Sequence, residues 1–199
     1  MIKERFTLEF PTKKHKEAAL DFIQEFIDEE VHPCGTNKLY TVLQSSGTYA
    51  SYEEWLESCK NNRTGDTSIN GVPTETYFMV RQHDERIVGM VTIRLRLNDR
   101  YWNNGGNIGY SIRKSERCIG YAKINLFLAL LTCYKHDIEA VLLDCDKENV
   151  TSSRTMLALD AMLIREKWSD MYYCWNQVYV IGVNQSVVKY YDDYMYKIY

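Results

Sequence analysis

The sequence lacks the stretches that usually separate domains. It contains only 3 prolines and 10 glycines in 199 residues, and no segment rich in proline, glycine or serine divides it. A chain of this length with 45% hydrophobic residues can bury one sizeable core. We therefore predict a single domain over residues 1–199.

The sequence also lacks a strong charge of either sign. Its formal net charge is -3, and no local cluster of basic residues stands out. Nucleic acids and anionic lipid surfaces attract proteins through positive charge. The composition therefore predicts that neither nucleic acid nor a membrane surface is a partner.

Two further absences concern location. The apolar segment 124–134 lies between Lys123 and Lys135 and is much shorter than the roughly 20 residues that span a bilayer. The six cysteines form no C-x-x-C pair, and no secretion signal precedes them. These features predict free thiols in a protein of the reducing cytoplasm.

Several motifs of catalysis and nucleotide binding are missing. The sequence has no Walker lysine loop, no H-E-x-x-H and no G-x-S-x-G. The glycine cluster 105–109 leads into a predicted strand, whereas a dinucleotide-binding glycine motif must open a helix. The histidines share no spacing typical of a metal site or a nucleophile relay. We therefore predict no metal site and exclude the P-loop, Rossmann and hydrolase motifs.

The sequence does contain alternating strand and helix patterns. Period-two alternation and compact apolar runs predict strands over 6–10, 76–82, 87–98, 107–113 and 139–145. Helical spacing and capping residues predict helices after Thr12, after Ser51, over 117–134 and over 151–161. Turn formers predict a loop over 61–73. The order predicts an α/β (α+β) fold with a mixed, mostly antiparallel central sheet flanked by helices.

The aromatic segment 163–199 predicts two or more additional strands. Its tail, 187–199, is interpreted as a half-buried strand. The lining of an acceptor pocket and a homodimer interface are alternative interpretations of this tail.

The segment SERCIGYAKINLFLAL, residues 115–130, carries the strongest functional signal. A strand ends here and an apolar helix begins, so the first backbone N–H groups of that helix lack intrahelical partners. Gly120 removes a Cβ where a pyrophosphate would approach, and Arg117 adds a guanidinium fork suited to phosphate oxygens. Because the pattern is short, an ordinary turn between strand and helix is the alternative.

The run from Arg117 to Ala122 resembles the R/Q-x-x-G-x-G/A motif of the GNAT superfamily of N-acetyltransferases. Four consecutive blocks are similar to a bacterial group known as predicted GNAT acetyltransferases: GVPTETYFMVR (71–81), IVGMVTIRLRLN (87–98), GGNIGYSIRKSERCIGYA (105–122) and VLLDCDKENVTSSRTM (141–156). The resemblance covers roughly residues 10–165. Four blocks in the same order are far more specific than one glycine pattern.

The resemblance implies the GNAT acyl-CoA N-acyltransferase fold, with strands that splay apart where acetyl-CoA, the acyl donor, binds. It implies that the pantetheine arm of acetyl-CoA contacts the backbone of Tyr110, Ser111 and Ile112. It also implies that Asn149 contacts the pantetheine region, with Ser152 on the helix behind it, although a helix N-cap is an alternative role for Asn149. The pyrophosphate is expected to contact Arg117 and the loop amides of Cys118, Ile119, Gly120, Tyr121 and Ala122.

The sequence departs from the family where protons are transferred. Met156 occupies the place of a tyrosine that stands close to the departing sulfur in many relatives, and we expect it to form an apolar wall there. Gly106 and Asn107 occupy the place of an acidic residue or histidine. An amine with a pKa near 10 must nevertheless lose a proton before it attacks a thioester.

Two kinds of proton acceptor remain open from the sequence. One is a water chain held by Asn107 and backbone groups, and the other is a carboxylate such as Glu29, Glu30 or Asp144. Asn107 and Asp144 are taken as the candidate catalytic residues.

The sequence thus supports three functional hypotheses. The first is an acetyl-CoA-dependent N-acetyltransferase that transfers an acetyl group directly to a primary amine of a small molecule or a peptide. The second is a non-catalytic module that binds acyl-CoA or another protein and retains the pyrophosphate-binding turn. The third is transfer of an aminoacyl or other acyl group on the same fold.

Overall fold

A computed structural model describes residues 4–44, 47–64, 71–170 and 173–198. The strands within these ranges are β1 (Phe6–Glu9), β2 (Thr74–Arg81), β3 (Arg86–Arg94), β4 (Ile108–Ile112), β5 (Ala140–Asp146), β6 (Met162–Ser169) and β7 (Cys174–Gly182). The α-helices are α1 (Lys16–Asp28), α2 (Tyr52–Asn62), α3 (Asp99–Asn103), α4 (Tyr121–Lys135), α5 (Val150–Leu157) and α6 (Val183–Met195).

The strands form two antiparallel sheets. One sheet has four strands in the order β1-β2-β3-β4, and the other has three in the order β5-β7-β6. The predicted α/β class, with helices packed on mostly antiparallel strands, is confirmed. The central sheet is divided between β4 and β5, and this division forms the splay that the resemblance implies.

Two apolar cores cover the two faces of the sheets. Helices α1 and α2 pack on one face, where Phe22 and Trp55 are fully buried against Phe78 of β2. Helix α4 packs on the other face with α5 and α6, and Phe127 is fully buried there. Helix α4 is apolar on nearly all sides because strands and helices surround it.

Two predicted elements need correction, and one observed helix was not predicted. Helix α4 begins at Tyr121 and not at residue 117. Cys118 and Gly120 have positive φ angles of 65° and 93°, which are not helical, so the residues before Tyr121 form a loop. The tail is not a strand: it forms α6, whose apolar residues recur at helical spacing against α4. Helix α3 was not predicted, since a five-residue helix has too short a pattern to detect.

The predicted loop 61–73 also differs in part. Its first two residues end α2, and residues 65–70 lie outside the described ranges.

A buried ion-pair network holds the segment that connects β4 to the loop before α4. Arg113, at the end of β4, is almost fully buried and donates hydrogen bonds to Glu25 and Asp21 of α1. Glu25 also accepts hydrogen bonds from the backbone N–H and the hydroxyl of Ser115. Burial alone would raise the pKa of Glu25, but the hydrogen bonds from Arg113 and Ser115 outweigh it and lower that pKa to about 2.

We expect Glu25→Gln to lower the free energy of unfolding by about 1.5–3 kcal/mol, the usual contribution of hydrogen bonds to a charged group. A carboxylate with a depressed pKa stabilises the fold above its unfolded pKa near 4.5, and this stabilisation is lost as pH falls toward 2. The difference between native protein and variant should therefore shrink below pH 4.5, as measured by urea unfolding across pH.

The exposed pair formed by Glu57 and Lys60 supplies the control, because such surface pairs contribute little. Equal destabilisation by Glu57→Gln and Glu25→Gln would contradict the role assigned to the network.

Candidate active site

The two sheets meet at one point, which we call the apex of the splay. The N–H of Asn107, just before β4, donates to the Leu142 carbonyl of β5 at 2.6 Å. The Leu142 N–H donates back to the Asn107 side-chain oxygen at 2.9 Å. Gly106 has a φ of 54°, and an added Cβ there would collide with the Leu142 carbonyl. Beyond the apex β4 and β5 belong to different sheets, and the gap between them is called the splay cleft below.

Asn107 is a structural residue at this apex. Its side-chain oxygen accepts from Leu142, and its side-chain nitrogen donates to the carbonyl of Arg94 at 3.0 Å. The residue is 5% exposed. Both ends of the amide are therefore used by the backbone, and the predicted role of Asn107 in a water chain is not what the structure supports.

The open end of the splay cleft leads to the loop before α4. Cys118, Ile119 and Gly120 are exposed, and their backbone N–H groups have no hydrogen-bond partner in the part of the chain that the structure describes. Gly120 is the N-cap of α4 in a left-handed conformation, with no heavy atom within 4 Å of an added Cβ. Glycine is thus favoured by its φ angle, and free amides with a helix N-terminus make a site suited to an anion.

The side chains around this loop are arranged differently from the sequence prediction. Arg117 donates through Nε to the Ile112 carbonyl at 2.9 Å and through Nη1 to Glu29, the C-cap of α1, at 2.8 Å. Its guanidinium is therefore engaged with α1, and it positions the loop. Tyr121 is buried, and its hydroxyl donates to Glu4, so only the Tyr121 backbone belongs to the loop surface. Ala122 follows as a half-buried, small residue.

Helix α5 forms one wall of the splay cleft. The Asn149 side-chain oxygen caps α5 by accepting from the Ser152 N–H at 3.1 Å, as the alternative role for Asn149 predicts. The Ser152 hydroxyl lies 3.2 Å from the Tyr110 hydroxyl of β4. The structure therefore brings together three of the residues that the resemblance implies, Tyr110, Asn149 and Ser152. Met156, one turn further along α5, is fully buried in the core.

The opposite wall is the segment between α1 and the next short helical turn. Ser111 of β4 donates through its hydroxyl to the Cys34 carbonyl at 2.6 Å. Thr92 of β3 donates to the Gly35 carbonyl at 2.9 Å. Gly35 has a φ of 70°, and a Cβ there would collide with the Gly109 carbonyl. The segment is thus seated on the face of β3 and β4 that is opposite to α4.

Asp144 lies on this side of the splay cleft. Its neighbours along β5, Leu143 and Cys145, belong to the core beside α4, so its own side chain points to the other face of the sheet. It accepts a hydrogen bond from the Gly105 N–H at 2.8 Å. Burial raises the pKa of Asp144, and the Gly105 hydrogen bond and the charge of Arg94 only partly oppose this.

The other carboxylates proposed from the sequence are placed differently. Glu29 forms the ion pair with Arg117, and Glu30 is exposed beyond the end of α1. Of the three carboxylates, Asp144 is the one that lies on the splay cleft beside the apex.

Cys34 is a cleft residue that the sequence analysis did not single out. Water reaches its side chain, yet protein atoms crowd the thiol, and this burial together with the charge of Asp144 raises the pKa of Cys34. The structure reveals its position through the seating of Gly35 on β4. A contact between residues so distant in sequence leaves no local pattern that would predict it.

None of the helices in the described ranges is long and apolar enough to cross a lipid bilayer.

Comparison with known proteins gives a fold but no sequence family. No protein-family model matches the chain, and no curated protein sequence matches it. Solved structures do match. RimJ of Mycobacterium smegmatis, in complex with CoA-disulfide, has a TM-score of 0.63 at 14% identity, over 94% of this chain and 91% of its own.

Two further structures agree with RimJ. A GNAT-family acetyltransferase of Bacillus anthracis has a TM-score of 0.60 at 14% identity, over 90% of this chain and 96% of its own. The microcin C7 self-immunity acetyltransferase MccE, in complex with acetyl-CoA and AMP, has a TM-score of 0.63 at 16% identity, over 89% of this chain and 92% of its own. The chain therefore has the fold of the GNAT acetyltransferases.

Proposed function

We propose that this protein is an acetyl-CoA-dependent N-acetyltransferase that transfers the acetyl group directly to a primary amine. The observation that carries the proposal is the splay cleft, which has a loop of free amides at one end and, near the other, a partly buried carboxylate whose pKa is raised. An acyl donor with a pyrophosphate and a long thioester arm fits this arrangement. The structures of similar fold that contain acetyl-CoA or CoA support the same donor.

The loop binds the pyrophosphate through backbone groups. The N–H groups of Cys118, Ile119 and Gly120 donate to phosphate oxygens, and the first turn of α4, at Tyr121 and Ala122, adds its partial positive charge. Arg117 keeps the loop in place through its hydrogen bonds to Ile112 and Glu29 and contributes positive charge nearby. Because Nε and Nη1 of its guanidinium make these bonds, not all of its N–H groups can donate to phosphate.

The thioester arm runs along the free edge of β4. This edge has no strand partner beyond the apex. Of the expected contacts Tyr110, Ser111 and Ile112, the Tyr110 N–H and carbonyl and the Ile112 N–H are available there to the amides of pantetheine. The backbone groups of Ser111 face Met90 of β3 instead, and the Ile112 carbonyl already accepts from Arg117. Asn149 can donate from its side-chain nitrogen while its oxygen caps α5. Positioning the thioester beside the amine supplies a large part of the rate.

Asp144 accepts the proton of the attacking amine. Its raised pKa brings it closer to that of the amine than an ordinary carboxylate, which favours proton transfer at neutral pH. The Gly105 N–H and Asn176 hold the carboxylate in place, with hydrogen bonds of 2.8 Å and 3.4 Å.

The proposal predicts release of free thiol from acetyl-CoA when a suitable amine is present. A panel of small primary amines and peptides with free α-amino groups should be screened with acetyl-CoA, with calorimetry of acetyl-CoA alone as the companion measurement. Thiol release above background with at least one amine is expected. Binding of acetyl-CoA without turnover on any amine would favour a non-catalytic acyl-CoA-binding module.

That module is the second candidate. The observation in its favour is that Gly106 and the buried, apolar Met156 occupy positions where many members of the resembling family have a proton-transfer residue. A single domain, a cytoplasmic location and a homodimer remain predictions from the sequence. Aminoacyl or other acyl transfer is tested by exchanging the donor in the same screen.

A further inference from the structure

The side chain of Arg94, at the end of β3, is not used by the steps above. Its Nη1 donates to two successive backbone carbonyls, that of Gly105 at 3.1 Å and that of Gly106 at 2.8 Å. Its guanidinium carbon lies 4.0 Å from the centre of the Tyr101 ring, which is a cation–π contact. One arginine thus joins β3 to α3 and to the turn that precedes the apex of the splay.

The turn that Arg94 contacts consists of two glycines. Gly105 and Gly106 have positive φ angles of 97° and 54°, and neither residue has a side chain that could anchor the turn. A Cβ added to Gly105 would lie 3.6 Å from the Tyr101 ring and 3.7 Å from Nη1 of Arg94, so these two side chains enclose the turn. The contacts with Arg94 therefore restrict a segment that two glycines alone would leave flexible.

The same turn binds the candidate proton acceptor. The Gly105 N–H donates to the Asp144 carboxylate at 2.8 Å, so the carboxylate is held only as firmly as the turn itself. The backbone of Arg94 is fixed in turn by Asn107, which accepts from the Arg94 N–H at 2.8 Å and donates to the Arg94 carbonyl at 3.0 Å. A chain of hydrogen bonds therefore runs from β3 through Arg94 and the turn to Asp144.

Arg94 also acts on Asp144 through its charge. Thr92 of β3 binds the Gly35 carbonyl, and Arg94, two residues further along the strand, lies on that same face, away from α4. Asp144 points to this face as well. Burial raises the pKa of Asp144, and among the charged side chains Arg94 opposes this most, ahead of Lys167.

The other charged and titratable groups on this side do not duplicate the role of Arg94. Lys167 and Arg165 of β6 donate to the carbonyls of Asn103 and Trp102 in α3. The remaining groups that the structure describes here are thiols, a phenol and a carboxylate: Cys34 after α1, Tyr101 of α3, Asp146 of β5 and Cys174 of β7. Within the described ranges, Arg94 is thus the cation that both binds the turn and offsets the burial of Asp144.

We propose that Arg94 is a positioning residue of the reaction: it clamps the turn at Gly105 and Gly106, and through the Gly105 N–H it holds the Asp144 carboxylate in place for the incoming amine. The inference rests on the proposed N-acetyltransferase activity, in which Asp144 takes a proton from that amine. Arg94 acts on the reaction only through Asp144. Positioning of this kind matters because a displacement of about 1 Å can cost on the order of 100-fold in rate.

The test compares the pH profile of kcat/KM in Arg94→Met and Arg94→Lys. Methionine keeps an unbranched side chain beside Tyr101 but removes the donors and the charge, so the maximal kcat/KM should fall by about 10- to 100-fold. The acidic limb, where kcat/KM rises as Asp144 loses its proton, should move to higher pH because the opposite charge nearby is gone. Lysine keeps the charge without the planar fork, so its acidic limb should stay near the native pH and its maximal kcat/KM should fall less than in Arg94→Met.

Arg96→Met is the matched control. It removes the same charge from an exposed residue two positions along the chain, and it should keep the native pH profile.

A second measurement needs no acceptor amine. The side-chain carboxyl carbon of Asp144, assigned in a ¹³C NMR spectrum by its absence in Asp144→Asn, reports the pKa of this group directly. This pKa should be higher in Arg94→Met than in the native protein, and unchanged in Arg96→Met, because only Arg94 lies beside Asp144.

Several outcomes overturn the inference. A native maximal kcat/KM in Arg94→Met would leave the clamp without a role in the reaction. A loss of activity with the acidic limb and the Asp144 resonance unmoved would make Arg94 a structural residue only. An equal shift of the acidic limb in Arg94→Lys and Arg94→Met would show that the charge is not its cause.

Two further results are separated from these. If Arg94→Met does not fold, Arg94→Gln, which keeps a donor and loses the charge, replaces it in both measurements. Failure of the native protein to bind or use acetyl-CoA would refute the proposed function, and the NMR titration would still show whether Arg94 acts on Asp144.

Discussion

A Gly120→Glu variant should lose at least about 100-fold in acetyl-CoA affinity, which corresponds to ~2.7 kcal/mol of binding free energy. The substitution places a carboxylate at the mouth of α4, where the proposed pyrophosphate brings negative charge to the free amides of Cys118 and Ile119. Two like charges at one helix N-terminus repel each other and compete for the same N–H donors. Calorimetric titration with acetyl-CoA measures the loss.

The structure separates this effect from simple misfolding. No heavy atom lies within 4 Å of a Cβ added to Gly120, so the substitution meets open space, and its strain comes from the φ of 93°. That left-handed conformation costs roughly 1–2 kcal/mol for a residue with a side chain. Gly120→Gln has the same strain and size without the charge, and we expect it to weaken binding clearly less than Gly120→Glu. Equal affinity in the native protein and in Gly120→Glu would remove the loop from the proposed site.

The sequence predicts the elements around the site well, because these elements carry strong local patterns. Strands β2 to β5 and helices α1, α2, α4 and α5 lie within a few residues of their predicted places, since apolar periodicity and capping residues such as Ser51 are local signals. The strand interpretation of the tail 187–199 was wrong, and the tail instead contributes to α6. Aromatic residues such as Tyr190 and Tyr194 suggested a strand because they favour strands in general. Their helical spacing against α4 outweighs that preference, and such packing is visible only in the tertiary structure.

The site was predictable to the extent that it depends on backbone. The loop after β4 and its free amides follow from one glycine at the start of an apolar helix. Side-chain roles were less predictable because they depend on partners far along the chain. Arg117 pairs with Glu29 at the C-cap of α1, 88 residues away in sequence, and Asn107 bonds to Leu142, 35 residues away.

Asp144→Asn should lower kcat/KM by about 100- to 1,000-fold, within the usual effect of removing a general base. The amide oxygen of asparagine can still accept the Gly105 hydrogen bond, so the geometry at this position should persist. What is lost is the ability to take a proton from the attacking amine. In the native protein kcat/KM should rise as pH increases through the raised pKa of Asp144, and this acidic limb should be absent in the variant.

Stability should change in the opposite direction to activity. A carboxyl whose pKa is raised by burial binds its proton more tightly in the folded than in the unfolded chain, so its stabilising contribution is present at low pH and is lost as pH rises through the raised pKa. At pH 7 Asp144→Asn should therefore match or exceed the native free energy of unfolding, as measured with urea. Asp146→Asn, two residues along β5, is the matched control and should keep most of the activity. A native kcat/KM in Asp144→Asn would assign proton transfer to solvent and refute the role of Asp144, and a large loss of stability would show that its charge supports the fold.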